Sequence, residues 1–134
     1  PYNNGSLQSF SPIFLVNHNS RQVFFVGGAG GGVTGPTSLA SVMRGVLLED
    51  IGLFKSVSRP RLHHGGSPDT VLFEPQITFK NRVNLEQRKH RLQSIPNLGR
   101  VNAIYCPSGM PRNPEQCIFA TAPRGFGLAT RGKL

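Results

Sequence analysis

Apolar and polar positions fall into short, separate runs along this chain, and their spacing predicts elements one by one. SPIFLVN (11–17) and RQVFFVG (21–27) are rich in branched and aromatic residues and are separated by HNS. That is the pattern of two strands joined by a hairpin turn. The glycine-rich run GGAGGG (27–32) follows. Beyond it Leu39, Val42, Met43 and Val46 recur at helical spacing and form one apolar face. Thr34 and Gly35 suit the start of that helix, Pro36 its first turn and Gly52 its end. SVSRPRLHHGGSPD (56–69) reads as irregular and TVLFEP (70–75) as a short strand.

The remainder is read in the same way. From Thr78 to Leu92, Phe79, Val83 and Leu85 among many charges predict a second, solvent-facing helix. Asn97 to Arg100 form a turn. VNAIYC (101–106) and CIFATA (117–122) flank the turn-rich PSGMPRNPEQ, and GFGLATRGKL at the end reads as loop. Two strands, a helix, a strand, a helix and further strands make an α+β chain, or one half of a layered sandwich. Neither an internal repeat nor a dividing linker is present, so residues 1–134 form a single-domain unit.

Composition narrows the choice of function. The chain has 134 residues, 37% of them hydrophobic, with 16 Gly and 11 Pro. That is enough for one modest core with many turns. No run approaches the roughly 20 apolar residues of a membrane span, and no signal peptide opens the chain. It begins at Pro1 without Met, as a processed fragment would. Lys and Arg number 15 against 6 acids, a net charge of +9. Such a balance suits nucleic acid or an anionic surface. The basic residues are scattered, though, and only EQRKHRL is dense. With no Trp and two Tyr there is no stacking motif, and nucleic acid is not the expected partner. Cys106 and Cys117 sit where a hairpin would bring them close; a disulfide and two separate buried thiols both fit. Asn4-Gly5-Ser6 is a glycosylation sequon.

The glycine run is the candidate for chemistry, because a helix N-terminus favours anions and glycine lets a ligand approach main-chain amides. A phosphate-binding Walker loop requires Lys-Ser/Thr after the last glycine, and Val33-Thr34 stand there. A dinucleotide fingerprint requires a parallel strand–helix–strand unit, and a hairpin precedes this run. A Gly-x-Ser-x-Gly elbow requires a serine the loop lacks. An oxyanion site made of main-chain amides remains, beside a plain strand-to-helix turn. His63-His64 are adjacent and would face opposite ways on a strand, with no third ligand at metal spacing. Neither a metal nor a cofactor is expected. Arg61 and Arg124 read as structural anchors.

SFSPIFLV, FFVGGAGGGVTGPTSLASVMRGVLLED, RPRLHH, VLFEP, GRVNAI and ATAPRG, in that order, resemble the C-terminal part of the γ-glutamyltransferase (glutathione hydrolase) small subunit. The resemblance runs from about residue 7 to residue 129. It implies an N-terminal-nucleophile hydrolase fold, an αββα sandwich assembled from two chains after self-cleavage. It implies acyl transfer from a γ-glutamyl amide to water or an amino acid, through the N-terminal Thr of the small subunit. By it Gly31 and Gly32 form the oxyanion hole, and Gln8 and Ser9 stand where two serines bind the donor's α-carboxylate. None of the chain's threonines is N-terminal, so the nucleophile is expected on the upstream small-subunit segment that bears the N-terminal Thr, with a large-subunit chain as a further companion, and this chain alone is expected to be inert. An extracellular or cell-surface location follows from the family, with membrane attachment only through a partner segment. Three positions depart from the family pattern: Gln8 for serine, Ala29-Gly30 for Ser-Pro, and Ala122 for the acid of Asp-Pro-Arg. They motivate the alternative of a related protein that binds without catalysing.

Overall fold

The computed structural model describes residues 12–125 and residue 127. Its elements are β1 (Ile13–Val16), β2 (Val23–Gly30), α1 (Thr34–Leu47), α2 (Leu53–Ser58), β3 (Leu62–His64), β4 (Val71–Phe73), α3 (Phe79–Gln87), β5 (Leu92–Ser94), β6 (Arg100–Met110) and β7 (Ile118–Thr121). β1, β2, β6 and β7 form a four-stranded antiparallel sheet in that order, and β3, β4 and β5 a smaller one. The chain is therefore α+β, with three helices rather than two. It differs from an all-antiparallel reading in one place: β4 and β5 run parallel, linked through α3.

The two faces of the large sheet are both apolar, for different reasons. Residues alternate across a strand, so Phe25, Ala29, Val101, Ala103 and Ala120 share one face and pack under Leu39, Val42 and Val46 of α1 and Leu53 and Val57 of α2. The small residues Gly27, Ala29, Ala103 and Ala120 make room for the helices. A methyl on Gly27 would stand 2.8 Å from Leu39. Across the other face Phe14 opposes Val26, Val26 opposes Ile104, and Ile104 opposes Phe119. That row is only partly covered, with Phe14 65% exposed.

Two boundaries move for physical reasons. The glycine run is mostly strand, since β2 continues to Gly30 in register with Arg100, which leaves a turn of only Gly31 to Val33. Gly52 does not close α1 but precedes α2, where Leu53 and Val57 are buried in the common core. β6 continues past Cys106 to Met110. Its register with β2 is broken between the Phe25–Tyr105 and Val23–Met110 pairs, and that break accommodates Pro107, which has no ladder donor.

Cys106 and Cys117 form a disulfide across the β6–β7 hairpin with Cα atoms 4.2 Å apart. The pair Tyr105–Ile118 lies next to it in register. Closing a loop of this length lowers the entropy of the unfolded chain by about 3 kcal/mol. Replacing both cysteines with alanine should lower stability by that order, seen as a shift in urea midpoint against the oxidised protein.

Candidate active site

The site is built where β2 hands over to α1. Gly31 and Gly32 are exposed and both have positive φ, 121° and 60°. Gly31 O accepts from the Thr34 side chain at 2.8 Å, and Gly32 O accepts from Gly35 N at 3.1 Å. Both carbonyls are thus turned toward the first turn of α1. The turn has no side chain of its own at these two positions, so whatever it offers a ligand is main chain plus the positive end of α1.

Behind this turn lies another. A methyl on Gly31 would come within 2.9 Å of the Gly99 Cα and 3.0 Å of Thr34 Oγ1. Gly99 has a φ of 62° and lies against Ser38. Ser38 Oγ lies 2.7 Å from Thr34 O and 3.1 Å from Leu98 O. The hairpin of α1 and β2 and the turn before β6 are therefore locked together at Gly31.

The Leu98–Gly99 turn is held by buried charge. Arg61 Nη1 donates to Leu98 O at 2.8 Å and Gly99 O at 3.0 Å, and its Nη2 donates to Val57 O at 2.8 Å. Glu74 accepts from Arg61 N and Leu98 N, each at 2.8 Å. Arg124 donates to both carboxylate oxygens of Glu74 and to Val57 O and Arg59 O. Burial would raise the Glu74 carboxyl, but the Arg124 hydrogen bonds and charge and the two main-chain donors outweigh it and hold it below its ordinary range. Burial, then the Arg124 charge, pull Arg61 down to about 10 against the attraction of Glu74. It stays charged at neutral pH.

Arg61 and Arg124 are anchors in this arrangement rather than surface cations. In the sequence Glu74 is a lone acid ending an apolar run, VLFEP; in the fold both of its carboxylate oxygens accept from Arg124. The two adjacent histidines face opposite ways. His63 is buried, its Nδ1 2.8 Å from Thr37 Oγ1 on α1, while His64 lies in the open 3.0 Å from Asp69. Among the described residues no group of His, Cys, Asp and Glu could hold a metal. Gln8, Ser9 and the Asn4 sequon lie outside the described residues. Within those residues no helix is long and apolar enough to cross a membrane.

Comparisons with known proteins agree on this architecture. The family model of gamma-glutamyltranspeptidase matches residues 5–116. Among solved structures, a gamma-glutamyltranspeptidase from Pseudomonas nitroreducens complexed with L-DON is 27% identical with a TM-score of 0.81, over 98% of this chain and 66% of that one. The T380A mutant of Helicobacter pylori gamma-glutamyltranspeptidase is 27% identical with a TM-score of 0.74, over 93% of this chain and 66% of that one. The Bacillus anthracis transpeptidase CapD, 15% identical, shares the fold with a TM-score of 0.68, over 92% of this chain and 71% of that one. Among curated proteins none matches. The chain thus spans just under two thirds of these gamma-glutamyltranspeptidase chains. By the extent of the family match and the fold together, it belongs to the gamma-glutamyltranspeptidase family.

Proposed function

We propose that this chain is the oxyanion-binding part of an enzyme that cleaves γ-glutamyl amides of the glutathione class and passes the acyl group to water or an amino acid. The observation that carries the reading is the exposed, positive-φ Gly31–Gly32 turn at the head of α1, in a chain of this family. The nucleophile is an N-terminal Thr on a companion segment produced by self-cleavage. Its hydroxyl oxygen attacks the γ-carbonyl carbon while its own amine takes the proton. The carbonyl electron pair moves onto oxygen, and the amides of Gly31 and Gly32 stabilise that charge. The C–N bond then breaks as the amine leaves with a proton. The resulting ester is released by water or an acceptor amine.

The partly covered row Phe14, Val26, Ile104 and Phe119 supports a companion layer. It is apolar, continuous across four strands, and lies opposite the helices, as the open face of half a sandwich should. The disulfide supports an oxidising, extracellular or cell-surface setting. Gln8 and Ser9 are assigned to the donor's α-carboxylate. Ser9→Ala should raise KM about tenfold with kcat little changed, because a hydrogen bond to a charge that is made equally in ground and transition states is lost.

The decisive experiment is release of aniline from a γ-glutamyl anilide by the complete, processed protein. Turnover that disappears when the N-terminal Thr is replaced supports the proposal. No turnover with that Thr intact favours the binding-only alternative, to which Gln8, Ala29 and Ala122 point.

A further inference from the structure

The buried charges around Glu74 are costly to assemble, and their contacts converge on one place. Arg61 is 1% exposed and Glu74 2%. Every hydrogen bond of the Arg61 guanidinium ends on a main-chain carbonyl, two of them at Leu98 and Gly99. From there the contacts close a ring. Gly99 supports Gly31, Thr34 bonds Gly31 O, Ser38 lies against both Thr34 O and Leu98 O, and Leu98 N returns to Glu74. The Nε of Arg61 is buried and makes no hydrogen bond among the described residues. The site thus retains an arginine at the expense of an unpaired donor, which argues that the fork of the guanidinium is what it uses.

We propose that Arg61, whose main-chain N–H is held by Glu74, is the positioning residue of the oxyanion site: its guanidinium fixes the Leu98–Gly99 turn against Gly31 and so sets where the Gly31 and Gly32 amides point. The inference rests on the oxyanion reading above. A lysine keeps the charge but reaches only as a point, without the two-armed contact to Leu98 and Gly99. The turn would then relax toward Ser38 and carry Gly31 with it. Donors moved by a fraction of an ångström to an ångström lose transition-state contact while ground-state binding survives.

The test uses the complete, processed protein with a γ-glutamyl anilide as substrate and a boronate analogue of glutamate, whose tetrahedral adduct places an oxygen in the oxyanion position. Arg61→Lys should lower kcat roughly tenfold to a hundredfold with KM unchanged, and weaken the boronate by a comparable factor. Glu49→Gln, which breaks the surface ion pairs with Arg44 and Arg59, should leave both unchanged. Gly31→Ala separates the two claims. If it loses kcat and boronate affinity while folded Arg61→Lys keeps them, the positioning role is overturned and the oxyanion site stands. If Gly31→Ala keeps both, the oxyanion reading fails and takes this inference with it. Should Arg61→Lys not fold, Ser38→Ala tests the ring from its other side. A folded Ser38→Ala protein with a smaller loss in kcat alone supports the role, and one with unchanged kcat overturns it.

Discussion

Gly31→Ala should, on the proposed oxyanion role, lower the kcat of the complete protein by about a hundredfold to a thousandfold, the loss typical when one oxyanion donor is misplaced. Two independent effects act together. A φ of 121° is poorly accessible to any residue with a Cβ. The added methyl would also lie 2.9 Å from Gly99 Cα, which is backbone and is itself held by Ser38 and Arg61. The turn cannot relax into Gly99, so it relaxes toward solvent and shifts both amides with it. Gly32→Ala is the informative contrast. At a φ of 60° its added methyl meets nothing within 4 Å among the described residues, so its packing penalty is small and backbone strain costs on the order of 1–2 kcal/mol. Steady-state kinetics with a γ-glutamyl anilide should therefore rank wild type above Gly32→Ala and Gly32→Ala above Gly31→Ala. An equal loss at the two positions would remove the packing argument.

Glu74→Ala destabilises the protein by about 3–5 kcal/mol, the range for removing one partner of a buried ion pair. The substitution leaves the Arg124 guanidinium without its carboxylate and strips the N–H groups of Arg61 and Leu98 of their acceptor. The same group makes stability depend on acid. Its carboxyl is held below the ordinary 4.5 in the folded state. The stabilisation is therefore fully present above 4.5 and is lost as pH falls through the lowered folded value, because the unfolded chain takes up the proton first. Urea midpoints measured from neutral pH downward should fall through that window in the wild type and fall less steeply in Glu74→Ala. Equal slopes would show that another carboxylate governs acid unfolding.

The contrast between Glu74 and the glycine run shows how far local reading reaches. Periodicity located the first hairpin and the apolar face of α1, because strand alternation and helical spacing are properties of neighbouring residues. It did not find α2, whose six residues are too few for a helical period to show. α2 is helical because Leu53 and Val57 are drawn into the core beneath Ala120 and Ala122. The helix-like run from Thr78 shortened to end at Gln87, since no buried face extends it. The role of Glu74 had no local signature at all. Its partners, Arg61, Leu98 and Arg124, stand 13, 24 and 50 residues away.

The order and chemistry of residues were enough to specify an α+β chain of this family, the strand-to-helix turn at GGAGGG, and the failure of the Walker and dinucleotide patterns there. These depend on residue type and spacing over short distances. Only the folded chain decided that four residues of that run, Gly27 to Gly30, belong to β2 and that Gly31 leans on Gly99. It decided too that the excess positive charge is partly sunk into a cluster behind the site. Those outcomes depend on which distant segments meet, and a buried arginine finds its carboxylate and its carbonyls only when tertiary packing brings them within hydrogen-bonding reach.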